Sequence, residues 1–262
     1  MRLEMYADVL CPWCYIGKRR LSAALAQHTG RGHVEILWRG YELAPEEGRI
    51  PGPTAAEAMA GWWGEQAPAR IARIRSLGAA EGLELNLHLA RPVNTFDAHR
   101  LVKLAAERGR ADQMMELLLH GHHTEGRNVA DAQVLQRLGS EAELDGDEVR
   151  AVLDGDDYAE QVRADRHRAA EHGVTSVPSL VIDGRPPVSG VQPVVDLQRL
   201  LEQDPLVGHR SLLAAQPVVV ANLWAGSGGG SGGAQAEGHD GPPPADNRRG
   251  SAERGAGDSA DG

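Results

Sequence analysis

The sequence is poor in four things, and each shortage excludes something. There are two cysteines in 262 residues. A secreted domain stapled by disulfides carries more and spreads them along the chain, whereas here both fall at one C-x-x-C spacing, Cys11 and Cys14. Lysine is reduced to Lys18 and Lys103; beside so much Ala and Gly, this reads as the codon bias of a GC-rich genome rather than as chemistry. Positive charge is in deficit, 27 Lys and Arg against 37 Asp and Glu, for a formal net charge of -10. A nucleic-acid partner wants the opposite sign, and an acidic balance otherwise mainly favours solubility. Finally, no uncharged apolar run reaches the ~18 residues of a membrane span. Arg2, Glu4 and Asp8 leave no apolar stretch for a secretory signal. The expected compartment is therefore the cytoplasm, where a disulfide is more often catalytic than structural.

What is present suffices for a core without staples. Hydrophobic residues make up 41% of the chain, and a chain of this length buries most of its apolar surface. Leu3, Met5, Ala7 and Val9 alternate through residues 2–9, as in a strand. Cys11 follows, and Pro12 suits a first helical position, where its missing N–H costs nothing. Ile16, Leu21, Ala24 and Leu25 predict a helix to about Gly30. Val34, Ile36 and Trp38 predict a second strand at 33–39, parallel to the first through a right-handed crossover. After a loop at 45–53, helical spacing dominates 54–172, in segments near 55–80, 97–109, 112–120, 131–139, 146–154 and 157–172. Alternating Leu83, Leu85, Leu87 and Leu89 suggest an extended stretch among them.

After Gly173 the pattern returns to strand. Residues 177–182 are an apolar run, and Asp183-Gly184 is a strong hairpin turn. A short strand at 185–189 carries Pro186 and Pro187, which places it at a sheet edge. Val194, Leu197, Leu200 and Leu201 predict a closing helix. The expected organisation is an α/β domain from 1–50 plus 173–204, interrupted by a helical subdomain at 51–172. Residues 205–225 are a candidate docked segment, and 226–262, rich in Gly and Pro, are expected to be a disordered tail.

A C-x-x-C at a strand-to-helix junction has specific chemistry. The thiolate is the reactive form, and a helix start offers unpaired N–H groups and the positive end of the macrodipole. Cys14, three residues on, returns to nearly the same face. Cys11 can then attack a partner's disulfide and Cys14 can resolve the mixed disulfide. Trp13 offers an indole N–H but no positive charge, so Trp13→His is expected to make the pair more oxidising. Zinc is the competing reading of the spacing, but it needs two more ligands. His120, His122 and His123 are the obvious source, and they read as a solvated polar patch at a helix end. No metal site is expected.

The strings around these residues resemble a known family. ADVLCPWCYIGKRR at 7–20 is similar to the SDxxCPWCYIGKR hallmark of the FrnE-like branch of the DsbA family. VEILWRGYELAP (34–45), NTFDAHRLVKLA (94–105), TEGRNVAD (124–131) and GVTSVPSLVIDG (173–184) follow in the family's order, so the resemblance covers about residues 2–203. It implies a thioredoxin-like fold with a large helical insertion, working as a thiol–disulfide oxidoreductase. It implies that Cys11 is the nucleophile and Cys14 the resolving thiol, with Pro12 and Trp13 tuning them. Val177-Pro178 would be a cis-proline turn facing the pair, leaving the Val177 backbone free to pair with a substrate peptide. No bound cofactor is implied; glutathione is a candidate co-substrate. The partners would be a thiol- or disulfide-bearing protein or small molecule and an electron donor or acceptor. Ala7 in place of the family's Ser and the Pro186-Pro187 pair are departures.

Other residues carry weaker readings. Asp8 could relay a proton, raise a neighbouring thiol's pKa by repulsion, or cap the strand end. Lys18, Arg19 and Arg20 read as the wet face of a helix, with docking of an anionic substrate as the alternative. Asn94 and His99 read as a cap and a surface or core histidine, with a place in a cleft as the alternative. Trp62-Trp63 read as subdomain packing, and Glu125 to Asp131 as a loop feeding an N-cap. Two rival functions remain: a glutathione-dependent isomerase of the 2-hydroxychromene-2-carboxylate type, whose branch usually has Ser at the first cysteine position, and a non-enzymatic accessory protein of a biosynthetic pathway.

Overall fold

The computed structural model describes residues 1–28 and 34–202. The segments at 205–225 and 226–262 therefore lie outside the described residues. The chain opens with strand β1 (Arg2–Ala7), helix α1 (Pro12–Ala26) and strand β2 (Glu35–Gly40). Helices follow: α2 (Ala55–Trp63), α3 (Ala67–Ala80), α4 (Phe96–Glu107), α5 (Ala111–His123), α6 (Ala132–Glu141), α7 (Gly146–Asp154) and α8 (Ala159–Glu171). The chain then returns as β3 (Ser179–Ile182), β4 (Val188–Ser189) and α9 (Val194–Glu202). The sheet order is β2-β1-β3-β4, with β1 parallel to β2 and antiparallel to β3. This is the expected α/β, thioredoxin-like arrangement.

The sheet's layout explains the burial. β1 is central, and Leu3, Met5, Tyr6 and Ala7 are fully buried. Its alternation predicts one buried face, yet Glu4 is buried too, and Arg39 from β2 reaches its carboxylate at 2.7 Å. β4 is the edge, and its two residues begin only after Pro186 and Pro187, whose missing N–H groups keep them out of the ladder. Asp183 and Gly184 both have positive φ (48° and 72°), and Arg185 N closes the turn on Ile182 O. Those are the paired left-handed residues that a tight hairpin of this hand requires.

Helices α2, α6 and α7 begin where side chains satisfy their free N–H groups. Thr54 and Glu57 form a reciprocal capping box on α2. Asp131 caps α6 and Asp145 caps α7. The long helix expected over 55–80 is instead α2 and α3, joined by a short 3-10 turn after Trp63, with Gly64 at positive φ. The expected extended stretch 83–89 forms no strand. Leu83, Leu85 and Leu87 are buried, but the backbone between them bonds elsewhere, Asn86 N donating to His123 O. Helix α8 is pinned to β2 by a buried charge network. Asp165 accepts from Lys103 Nζ, Arg39 and Gly40 N. A single contiguous set of buried apolar side chains runs from β1 through α4 and α5 to α9.

Candidate active site

Cys11 is the N-cap of α1, in extended conformation, with Pro12 in the first turn. Its amide donates to Asp8 O at 3.2 Å, and Cys14 N donates to Cys11 O at 2.9 Å. The helix start thus folds the chain so that Cys14 sits one turn inside Cys11. Both are free thiols and both are buried. The Cys11 side chain was expected to receive helix N–H groups, but it makes no cap hydrogen bond. Instead Sγ donates to Val177 O at 3.8 Å, as a protonated thiol does; accepting from the helix start is the thiolate's role. Cys14 has no solvent exposure. Burial pushes its thiol well up, and the adjacent Cys11 sulfur adds to the shift, while the Asp8 backbone amide opposes it.

The Val177–Pro178 bond is cis. Pro178 is held between two glycines whose lack of a side chain is spatial, not conformational. A Cβ on Gly17 of α1 would fall 2.7 Å from Gly190 O and 3.1 Å from Pro178 Cγ. One on Gly190 would fall 2.9 Å from Pro178 Cβ. Gly190 N also donates to Pro178 O at 2.8 Å. The structure therefore brings together Cys11, Pro12, Cys14, Val177 and Pro178, with Trp13 half-buried beside them.

Behind the thiols lies a cluster that sequence reasoning only partly anticipated. Asp8 has no exposure; its Oδ2 accepts from Leu43 N at 2.6 Å, and Oδ1 lies 3.3 Å from His99 Nε2. His99 is buried on α4 against the end of β2, where a Cβ on Gly40 would meet its ring at 3.0 Å. The histidines of α5 correct the expected solvated patch. The helix runs through all three, and only His120 is exposed. His123 stacks toward Tyr15 at 6.3 Å and meets His122 edge-on at 4.7 Å. Burial holds His122 down at about 4 against the opposing pull of Asp8. Burial and then the neighbouring His122 hold His123 well below its ordinary value. The backbone of Val9 and Cys11 is near enough to favour the charged form of His123. Even so, neither of its ring nitrogens reaches a partner with hydrogen-bond geometry. Among the described residues, no three His, Cys, Asp or Glu side chains converge as a metal site.

The basic run after the cysteines is also placed differently from expectation. Lys18 is 4% exposed and bridges Asp112 and Glu116 at 3.0 Å each, so it is neither on a wet face nor open to an anionic ligand. Arg20 bonds Glu81 and Val191 O. Arg19 alone is substantially exposed; it pairs with Glu116 and lies over the Tyr15 ring at 5.4 Å. Asn94 is not the expected cap: it precedes Thr95, the N-cap of α4, and its Oδ1 accepts from Phe96 N at 3.0 Å in a side-chain turn. Trp62 and Trp63 pack partly against the core.

A dithiol at a strand-to-helix junction, faced by an X-Pro turn and backed by a mixed sheet, defines the thioredoxin-like disulfide-exchange class. The family comparison narrows it: the DSBA-like thioredoxin domain matches residues 2–202, and the chain belongs to that family of disulfide oxidoreductases. The crystal structure of a probable DsbA oxidoreductase from Streptomyces coelicolor is similar at 38% identity, covering 79% of this chain and 93% of its own, with a TM-score of 0.73. A 2-hydroxychromene-2-carboxylate isomerase shares the fold at 18% identity and a TM-score of 0.59, covering 77% of this chain and 94% of its own. The cytosolic disulfide reductase DsbM from Pseudomonas aeruginosa does so at 22% and 0.55, covering 77% and 97%. No curated protein matches the chain significantly. No helix among the described residues is long and apolar enough to cross a membrane.

Proposed function

We propose that the chain exchanges disulfides through Cys11 and Cys14, with Cys11 attacking and Cys14 resolving. The observation that carries this reading is the placement of Cys11 as the N-cap of α1, its sulfur turned to Val177 O, with Cys14 buried one turn deeper. The outer thiol is the one a substrate disulfide meets. The inner thiol, held protonated by burial, reacts only with a sulfur already delivered to it. Pro12 and Trp13 set the helix start, and Val177-Pro178 shapes the facing wall. The backbone of Val177, now bonded to the Cys11 thiol, becomes available to a substrate strand once that sulfur is in a mixed disulfide.

The substrate class is a protein or small-molecule disulfide or thiol, with glutathione as the candidate electron partner and no resident cofactor. We place the work in the cytoplasm, on the economy of two cysteines both spent in the pair. The reading is tested by Cys14→Ser. Without the resolving thiol, mixed disulfides on Cys11 should persist and be recovered from extracts alkylated at once. Recovery of none, with exchange activity unchanged in Cys11→Ala, would overturn it.

A further inference from the structure

We infer that His123 is a positioning residue for the Cys11–Cys14 couple: its buried N–H has no acceptor in the dithiol and is taken up by the Val9 and Cys11 carbonyls when the disulfide closes, which holds the pair toward the disulfide. The inference rests on the dithiol reading above. A neutral imidazole carries one N–H whichever tautomer it adopts. His123 has no solvent exposure, and neither of its ring nitrogens has a hydrogen-bond partner. Either tautomer therefore buries a bare donor, which costs the desolvation of that group with nothing made in return. The role is a donor's throughout: burial keeps His123 neutral, and it takes no proton from either thiol.

The ring is bounded on three sides. Tyr15 lies 6.3 Å away and nearly parallel, and His122 meets it edge-on at 4.7 Å. On the third side is the backbone of Val9 and Cys11, which favours the charged ring. Only an acceptor does that, so it is their carbonyls that face the imidazole. Helix α1 is not free to slide toward His123, because Lys18 and the Tyr15 hydroxyl tie it to Asp112 and Glu116 of α5. The adjustment falls on the residues before it. Cys11 belongs to no strand and stands at the helix cap, with its sulfur turned to Val177 O in the dithiol. Closing the ring takes that sulfur off Val177 and inward to Cys14, one turn deeper on α1, and the Cys11 peptide unit turns with it on the side where Tyr15 meets His123. With glutathione disulfide as oxidant, the S–H bonds of Cys11 and Cys14 and the glutathione S–S bond break. The Cys11–Cys14 bond forms, and two electrons and two protons end on two glutathione thiols.

The test is the reduction potential of His123→Phe, which keeps a ring against Tyr15 and removes the donor. Wild type and variant are equilibrated in graded glutathione buffers at neutral pH. The variant's equilibrium constant for disulfide formation should fall about tenfold, a rise of about 30 mV in potential. Denaturant unfolding of both redox forms adds a readout that packing alone would not move. Relative to wild type, the variant's unfolding constant should be about tenfold larger in the disulfide form than in the dithiol form. An unchanged or lowered potential, or equal changes of stability in the two forms, would overturn the inference and leave the couple standing. Absence of a disulfide in the wild type in every buffer would remove the dithiol reading instead. If His123→Phe does not fold, the wild type decides by magnetic resonance with isotope-labelled histidine. The His123 ring N–H should exchange with solvent about tenfold more slowly in the disulfide form than in the dithiol form, and equal exchange would overturn the inference.

Discussion

Acid should weaken this fold through the two buried histidines behind the active-site corner, and the size of the effect follows from their burial. His122 is held at about 4 in the folded protein against 6.5 in an exposed chain, mainly by desolvation. Above about pH 6.5 it is neutral in both states. Between 6.5 and about 4 the unfolded chain binds the proton and the folded one does not, so stability falls as pH falls through that window and levels below it. The shift corresponds to about 3 kcal/mol, a large share of the roughly 5–15 kcal/mol typical of a domain. His123, shifted in the same direction, adds to the loss. The assay is denaturant unfolding of the reduced protein at about pH 7 and about pH 4, for wild type and His122→Leu. The leucine keeps the site filled and removes the titration. The wild type should lose about 3 kcal/mol more than the variant over that interval. Equal losses would refute the argument, because carboxylates such as Glu116 titrate in both proteins.

Three further outcomes follow from the same packing. Asp165→Ala leaves Lys103 with a buried, uncompensated charge, while Arg39 keeps Glu4; unfolding midpoints should report a loss of about 3–5 kcal/mol, and a loss under about 1 kcal/mol would mean the network is not closed to water. Gly17→Ala drives a Cβ into Gly190 O, a backbone atom that cannot swing aside; it should cost about 1–3 kcal/mol and slow exchange with glutathione disulfide by displacing Pro178, and unchanged kinetics would show that the turn tolerates movement. Trp13→His should raise the reduction potential of the pair by on the order of 30 mV or more, read by equilibration against glutathione; an unchanged potential would show that the side chain at position 13 does not reach the sulfur.

The elements that carry their own period or punctuation were legible in the sequence. The strand, Cys11-Pro12 and helix opening, the Asp183-Gly184 hairpin, the edge position of β4 and the cap at Asp131 are all local, and local chemistry specifies them. The site's outer layer was legible for the same reason, since the cysteines lie three residues apart. Its inner layer was not. Asp8 and His99 are 91 residues apart, and Lys18 meets Asp112 across 94, so no window of sequence contains either pair. The one faint signal was Gly40, a glycine in a strand, which often marks a close approach; here the approaching group is the His99 ring. The burial of the α5 histidines is not legible, because three polar residues at the end of a helical pattern look like a solvated terminus. Burial of a neutral imidazole depends on what packs against the helix, here Tyr15 and the backbone of the Cys11 loop.

The central claim is that Cys11 and Cys14 form a reversible disulfide. It is tested most directly by equilibrating the protein in glutathione buffers of graded potential and counting alkylated thiols. The account predicts a two-electron transition with a defined midpoint in which both cysteines are lost and regained together, and no transition in Cys11→Ala. Independent oxidation of the two thiols, or no intramolecular disulfide in any buffer, would contradict it.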